Sequence, residues 1–298
     1  MKGKSCAYLC WVSAVSVLAA GAVAIVPDLP TKEWQGVGRV GRQWPGNQPR
    51  FNGTGVAIGD RWVLACRHLL LDSPTTFIPE SVVRFRLEGK GDLTPRRVHF
   101  PPQLTPDLVL LEFAPNTFTT WYAPYRKDDE KGKLVAVVGY GYTFRAQGGA
   151  LKQVQNSDGV RRAGFNRVSV VTDWQLRMDF DAPGAPDAYG DGGPVEKECI
   201  VAGHDSGGPS LIRDTDGKWK VAGIHETLAD GVTYGGRFYD VRVSRFISWL
   251  DSVMRRDASP VWYSSARCTS FESLPWAAPR TMWTLKRLPA FFSRTATE

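Results

Sequence analysis

Between about residue 36 and residue 243 the chain is a succession of short runs rich in β-branched and other apolar residues, each cut off by Gly, Pro, Asn or Asp. The clearest lie at 55–59, 61–65, 81–87, 107–113, 133–141, 166–174, 175–181, 219–225 and 236–243. Runs of that length read as strands, and many strands joined by turn chemistry make a sandwich or a barrel. The class is therefore all-β. One segment breaks the pattern. Over 243–256 the apolar residues Val243, Phe246, Ile247, Leu250, Val253 and Met254 recur at steps of three and four. That spacing predicts an amphipathic helix with one buried face, with Ser244 near its start as a cap.

The 298 residues allow one large domain or two modest ones. Hydrophobic residues at 43% and charged residues at 22% exclude wholesale disorder, a collagen and a coiled coil. The net charge of +7 includes Lys2 and Lys4 near the amino terminus and is otherwise evenly spread. That is too mild for a nucleic-acid partner. There is no internal repeat and no nucleotide-binding glycine loop, and five cysteines are too few for a disulfide scaffold.

After Lys2 and Lys4, an apolar run from Cys6 to Val26 ends in Ala22-Val23-Ala24, the small-x-small pattern that signal peptidase accepts. Residues 1–24 are expected to be a signal peptide. The other reading is an uncleaved anchor, because about 20 apolar residues span a bilayer. Both deliver the rest of the chain outside the cytoplasm, secreted or periplasmic, and only the second involves a membrane. Cleavage leaves Cys66, Cys199 and Cys268. Cys66 is expected to be a buried, inert thiol, and Cys199 with Cys268 is the one pairing to consider. Residues 25–256 form the main domain. Residues 257–298, with Pro260, Pro275, Pro279 and Pro289 among Trp262, Trp276 and Trp283, are an extension expected to pack against it.

The most informative stretch is Gly203-His204-Asp205-Ser206-Gly207-Gly208-Pro209. Glycines after a serine give backbone room around a nucleophile, and nearby main-chain N–H groups can face a developing oxyanion. It is not the Gly-x-Ser-x-Gly elbow of α/β hydrolases, because His204 stands two before Ser206. Upstream, His68 closes the apolar stretch Trp62-Val63-Leu64-Ala65-Cys66-Arg67-His68, and Asp107 opens Asp107-Leu108-Val109-Leu110-Leu111. Taken singly, His68 reads equally as a satisfied core histidine and Asp107 as a turn carboxylate.

Together, in the order His, Asp, Ser, these motifs resemble the chymotrypsin-like (trypsin-fold) serine proteases of bacterial, secreted type, over about residues 36–256. The segment 137–141, Val-Val-Gly-Tyr-Gly, is similar to that family's mid-chain Gly-aromatic-Gly strand. The resemblance implies two six-stranded antiparallel β-barrels with a C-terminal α-helix. It also implies a catalytic set of His68, Asp107 and Ser206, an oxyanion hole built from the backbone N–H groups of His204 and Ser206, and no metal or cofactor. A monomer acting on a protein or peptide substrate is expected.

Two features depart from the family pattern. His204 occupies the position of a glycine, where a side chain restricts φ and favours a flipped peptide that would leave the oxyanion hole half-formed. The position six before Ser206 is Ile200, with Val201 beside it, so a preference for Arg or Lys is not supported. Two preferences stay open: apolar or small side chains, or acidic ones met by His225, whose segment Gly223-Ile224-His225 resembles the glutamyl endopeptidases. In activated members the carboxylate before the nucleophile pairs with a new Ile-Val terminus. By that analogy Asp205 would meet Ile25 after signal removal, and the alternative is local hydrogen bonding of Asp205. The competing functional reading is a catalytically silent homologue that acts as an extracellular binding module.

Overall fold

The computed structural model describes residues 31–256, except 74, 104–105, 148–149, 188–189 and 191. The proposed signal peptide, Ile25, Cys268 and the extension 257–298 all lie outside the described residues.

The first half contributes β1 (Val37–Arg42), β2 (Arg50–Ala57), β3 (Trp62–Ala65), β4 (Leu71–Ser73) and β5 (Thr76–Phe77). It continues with β6 (Val83–Leu87), β7 (Gly91–Leu93), β8 (Arg97–His99) and β9 (Val109–Glu112). The second half contributes β10 (Leu134–Gly139), β11 (Thr143–Gln147), β12 (Ala150–Gln155), β13 (Arg162–Arg167) and β14 (Val170–Val171). Then come β15 (Gln175–Asp179), β16 (Pro209–Arg213), β17 (Trp219–Ala229), β18 (Arg237–Arg242) and the helix α1 (Ile247–Arg256). Strands pair antiparallel in two sheets, ordered β7-β6-β1-β2-β3-β9-β8 and β13-β10-β16-β17-β18-β15-β14. Both sheets curl, giving the expected chymotrypsin-type double barrel, with seven strands per sheet once the two- and three-residue edge segments are counted. The hairpins β4-β5 and β11-β12 stand apart as two-stranded sheets.

The long apolar run of β10 has a physical reason. Val135 and Val137 enter the core of the second sheet, while Ala136 and Val138 join the cluster around the first. β16 and β17 divide in the same way, with Ile212 and Ala222 on one side and Leu211 and Val221 on the other. Alternate side chains of a strand point to opposite faces, so a strand buried on both faces is apolar throughout. The first core is filled by Phe85, Phe113 and Phe118, whose rings meet at centroid distances of 5.3–5.9 Å.

The predicted helix begins with a single 3-10 turn, Val243–Phe246, before α1. Its apolar face seats Phe246 and Leu250 in the first core, with Ile247, Val253 and Met254 against it. Ser244 is not a cap. Its hydroxyl donates to Glu130 Oε1 at 2.7 Å, because the buried Arg242–Glu130 pair offers a stronger acceptor than the helix start does. The run 166–174 is likewise two strands, β13 and β14, separated at Val168–Ser169.

Candidate active site

His68 lies just past β3, in the 3-10 turn Arg67–Leu70 that the buried Leu69 and Leu70 anchor. The first N–H groups of such a turn lack partners within it. Cys66, at the N-cap, supplies no side-chain bond; the His68 N–H instead donates to Asp107 Oδ1 at 2.8 Å. Asp107 sits just before β9, whose register on β3 pairs Ala65 with Val109. The ladder therefore brings the histidine and the carboxylate to the same end of the strands. The second oxygen, Asp107 Oδ2, bonds the His68 ring at Nδ1. Burial alone would raise the Asp107 carboxyl, but the hydrogen bonds and charge of His68 outweigh it and hold the group below its usual range. An ionised Asp107 only accepts hydrogen bonds, so the proton of that contact sits on Nδ1, and in the neutral ring Nε2 is the nitrogen that carries the lone pair.

The Ser206 loop is fixed from several sides. Asp205 is fully buried, and its oxygens accept from Gly141 N at 2.7 Å and Ala202 N at 2.9 Å. Burial nevertheless pushes its carboxyl up to about 6. This explains the Gly-Tyr-Gly motif: a Cβ on Gly139 or Gly141 would lie 2.0 or 2.2 Å from an Asp205 carboxylate oxygen. These are the local hydrogen bonds open to Asp205, while Ile25, the other partner considered for it, lies outside the described residues. Thr54 ties the loop to the first sheet, its N–H donating to Ser206 O at 2.8 Å and its hydroxyl to His204 O at 3.0 Å. Gly207 N–H donates to His225 O at 2.8 Å, and a Cβ at Gly207 would stand 3.0 Å from Cys66 N, so this loop lies against the segment that carries His68.

His204 adopts a left-handed backbone, φ 76°. The peptides on either side of His204-Asp205 are each held through their carbonyl. Gly203 C=O accepts from Tyr142 N at 2.9 Å, and Asp205 C=O accepts from Gly208 N at 2.8 Å. In a trans peptide the N–H points opposite to the C=O. The N–H groups of His204 and Ser206 are therefore both turned away from these anchors, and among the described residues neither has a partner. The Tyr142 ring lies 4.6 Å from that of His204, with its hydroxyl 3.2 Å from Nε2. Burial lowers the His204 pKa.

His68 and Asp107 are thus joined directly. Ser206 is half-buried and, among the described residues, its hydroxyl makes no hydrogen bond to His68. Such contacts are often loose in a resting site and tighten on a bound substrate. Cys66, His68 and Asp107 lie close enough to be weighed as a metal cluster. The Cys66 thiol donates to His225 O at 2.9 Å, and burial drives its pKa well up.

A family model of the trypsin-like peptidase domain matches residues 53–224, more than half of the chain. The chain belongs to the trypsin-like peptidase family. No curated protein matches it significantly. In this peptidase domain the proposed pocket residues Ile200, Val201 and His225 are all buried in the second half. His225 Nδ1 is 2.9 Å from Asp240 Oδ1, and Nε2 is buried without a partner. Cys199 is also wholly buried. Beside Asp107 opens a cavity of about 340 Å³ lined by Gln103, Pro106, Trp174, Gln175, Glu226 and Val241. Gln175 Nε2 donates to Glu226 Oε2 there at 2.7 Å. Thr54, Tyr142 and Asp240 escaped the sequence reading. Tyr142 alone had a signal, as the residue directly after Gly-Tyr-Gly.

Proposed function

We propose that this trypsin-like peptidase is an exported serine endopeptidase in which Ser206 is the nucleophile and His68 the general base. The observation that carries the reading is the bonded His68–Asp107 pair beside a serine loop in which, among the described residues, the N–H groups of His204 and Ser206 have no partner. A serine hydroxyl is a weak nucleophile at neutral pH, so as its oxygen attacks the peptide carbonyl carbon the proton passes to His68 Nε2. Asp107 steadies the resulting imidazolium. The carbonyl π electrons move to oxygen, where the His204 and Ser206 N–H groups receive the charge, each such donor being worth about 3–4 kcal/mol. Collapse expels the amine, which takes its proton from Nε2, and water repeats the sequence to release the acid.

No acidic side chain stands at Ile200, so substrates with apolar or small residues before the scissile bond are favoured over Arg or Lys. The cavity walled by Trp174 and Pro106 accommodates the substrate chain upstream of that bond. The enzyme acts as a monomer on protein or peptide and requires no cofactor. The test is cleavage of an unbiased peptide mixture by the purified protein, with sites read by mass spectrometry. Cuts that vanish in Ser206→Ala and fall mainly after apolar or small residues support the reading. No cleavage by folded protein favours the silent homologue, and cuts confined to Arg or Lys overturn the specificity.

A further inference from the structure

A second site lies at the other end of the β3–β9 ladder. There Trp62 pairs with Glu112, and Glu112 with Arg97 across β8–β9. At about 3.3 Å per residue this end is roughly 10 Å or more from the end that carries His68 and Asp107. A cavity of about 470 Å³ opens here, lined by Arg61, Arg96, Arg97 and Glu112. Its single carboxylate is already engaged: Glu112 Oε2 is 2.9 Å from His99 Nε2 and nearly buried. Although Arg97 stands opposite Glu112 in register, among the described residues none of the three guanidinium groups forms an ion pair. Arg61 is held in place over the ring of Trp62, 5.4 Å from its centroid, and its Nε is buried without a hydrogen-bond partner.

Three guanidinium groups converge on one hollow, so each raises the energy of the others unless an anion enters. Planar forks of N–H donors suit the oxygens of a phosphate or sulfate group. Arg61 has already given up part of its freedom to the stack on Trp62, and part of its guanidinium is already out of water. We propose that this hollow binds a multiply charged oxyanion of the phosphate or sulfate type. The site is separate from the proposed catalytic groups and does not depend on their chemistry. The anion reaches it either free in solution or as the headgroup of an anionic lipid.

The test is calorimetric titration of the full-length protein with inorganic pyrophosphate at low ionic strength. Saturable binding is expected, weakened about tenfold or more for each arginine lost in Arg96→Gln and Arg97→Gln, because each removes charge-assisted hydrogen bonds. Both side chains are exposed, so the fold is not at stake. The charge-matched control K131Q/K152Q, also at exposed positions, retains binding. Absence of saturable binding, or equal loss in the control, overturns the proposal. Phosphatidic acid vesicles, whose headgroup is a phosphomonoester, distinguish the sources: pelleting that pyrophosphate competes away identifies a lipid headgroup, and pyrophosphate binding without pelleting identifies a free anion.

Discussion

Replacing His204 by glycine separates a formed oxyanion hole from an unformed one. Three terms bear on stability. Glycine relieves a left-handed residue, worth about 1–2 kcal/mol. It adds freedom to the unfolded chain, costing about 0.5–1 kcal/mol. It also removes the whole contact with Tyr142, ring to ring at 4.6 Å and hydroxyl to Nε2 at 3.2 Å, a further loss of about 0.5–1.5 kcal/mol in all. The sum lies near zero, so His204→Gly should unfold in urea within about 1 kcal/mol of the parent. For catalysis the anchors decide. The Gly203 and Asp205 carbonyls are held by the Tyr142 and Gly208 N–H groups, which the substitution leaves in place. The His204 N–H is therefore already oriented, and the second-order rate of acylation by an activated ester should change less than about threefold, far below the value of one whole donor. An acceleration of about 100-fold, the worth of a donor newly supplied, would refute the reasoning.

Two further outcomes follow from the same contacts. Thr54→Val removes the hydroxyl that donates to His204 O and accepts from Tyr140 N, at 3.0 and 3.3 Å, so stability should fall by about 1–3 kcal/mol and acylation should slow. Thr54→Ser should restore both, and a valine variant that acylates at the parental rate would contradict the tether. Glu198 accepts from Asp181 N and Val195 N, yet burial and the nearby Asp181 and Asp179 push its carboxyl from 4.5 up to about 7. The folded state then holds this proton more tightly than the unfolded chain does, so this group's contribution to stability is largest below pH 4.5 and declines as pH rises to about 7. Urea midpoints across that window should shift in favour of Glu198→Gln as pH increases, and parallel profiles would contradict the burial argument.

The fold class was legible because doubly buried strands such as β10 and β3 are written as unbroken apolar runs. β1 was not, since Val-Gly-Arg-Val-Gly-Arg hides its buried valines among glycine and arginine. The β11-β12 hairpin, with its Lys, Gln and Arg, carries little apolar signal either. The candidate site divides in the same way. His68, Asp107 and Ser206 stand in stretches whose local wording is distinctive. Thr54 acts on His204 from 150 positions away, through a hydroxyl bonded to a main-chain oxygen. Such a bond needs only a short donor in the right place, which nothing near Thr54 announces. The backbone of His204 was also illegible: its residue type argued against a left-handed conformation, and one of the two anchors beside it, Tyr142 N, comes from another strand connection.

The most direct measurement is the site and stoichiometry of labelling by a fluorophosphonate, which reacts with a serine only when a base and an oxyanion site act on it together. Intact-mass analysis should give one adduct per chain, peptide mapping should locate it on Ser206, and Ser206→Ala should abolish it. Folded protein that takes up no label, or takes it up at another residue, would contradict the account.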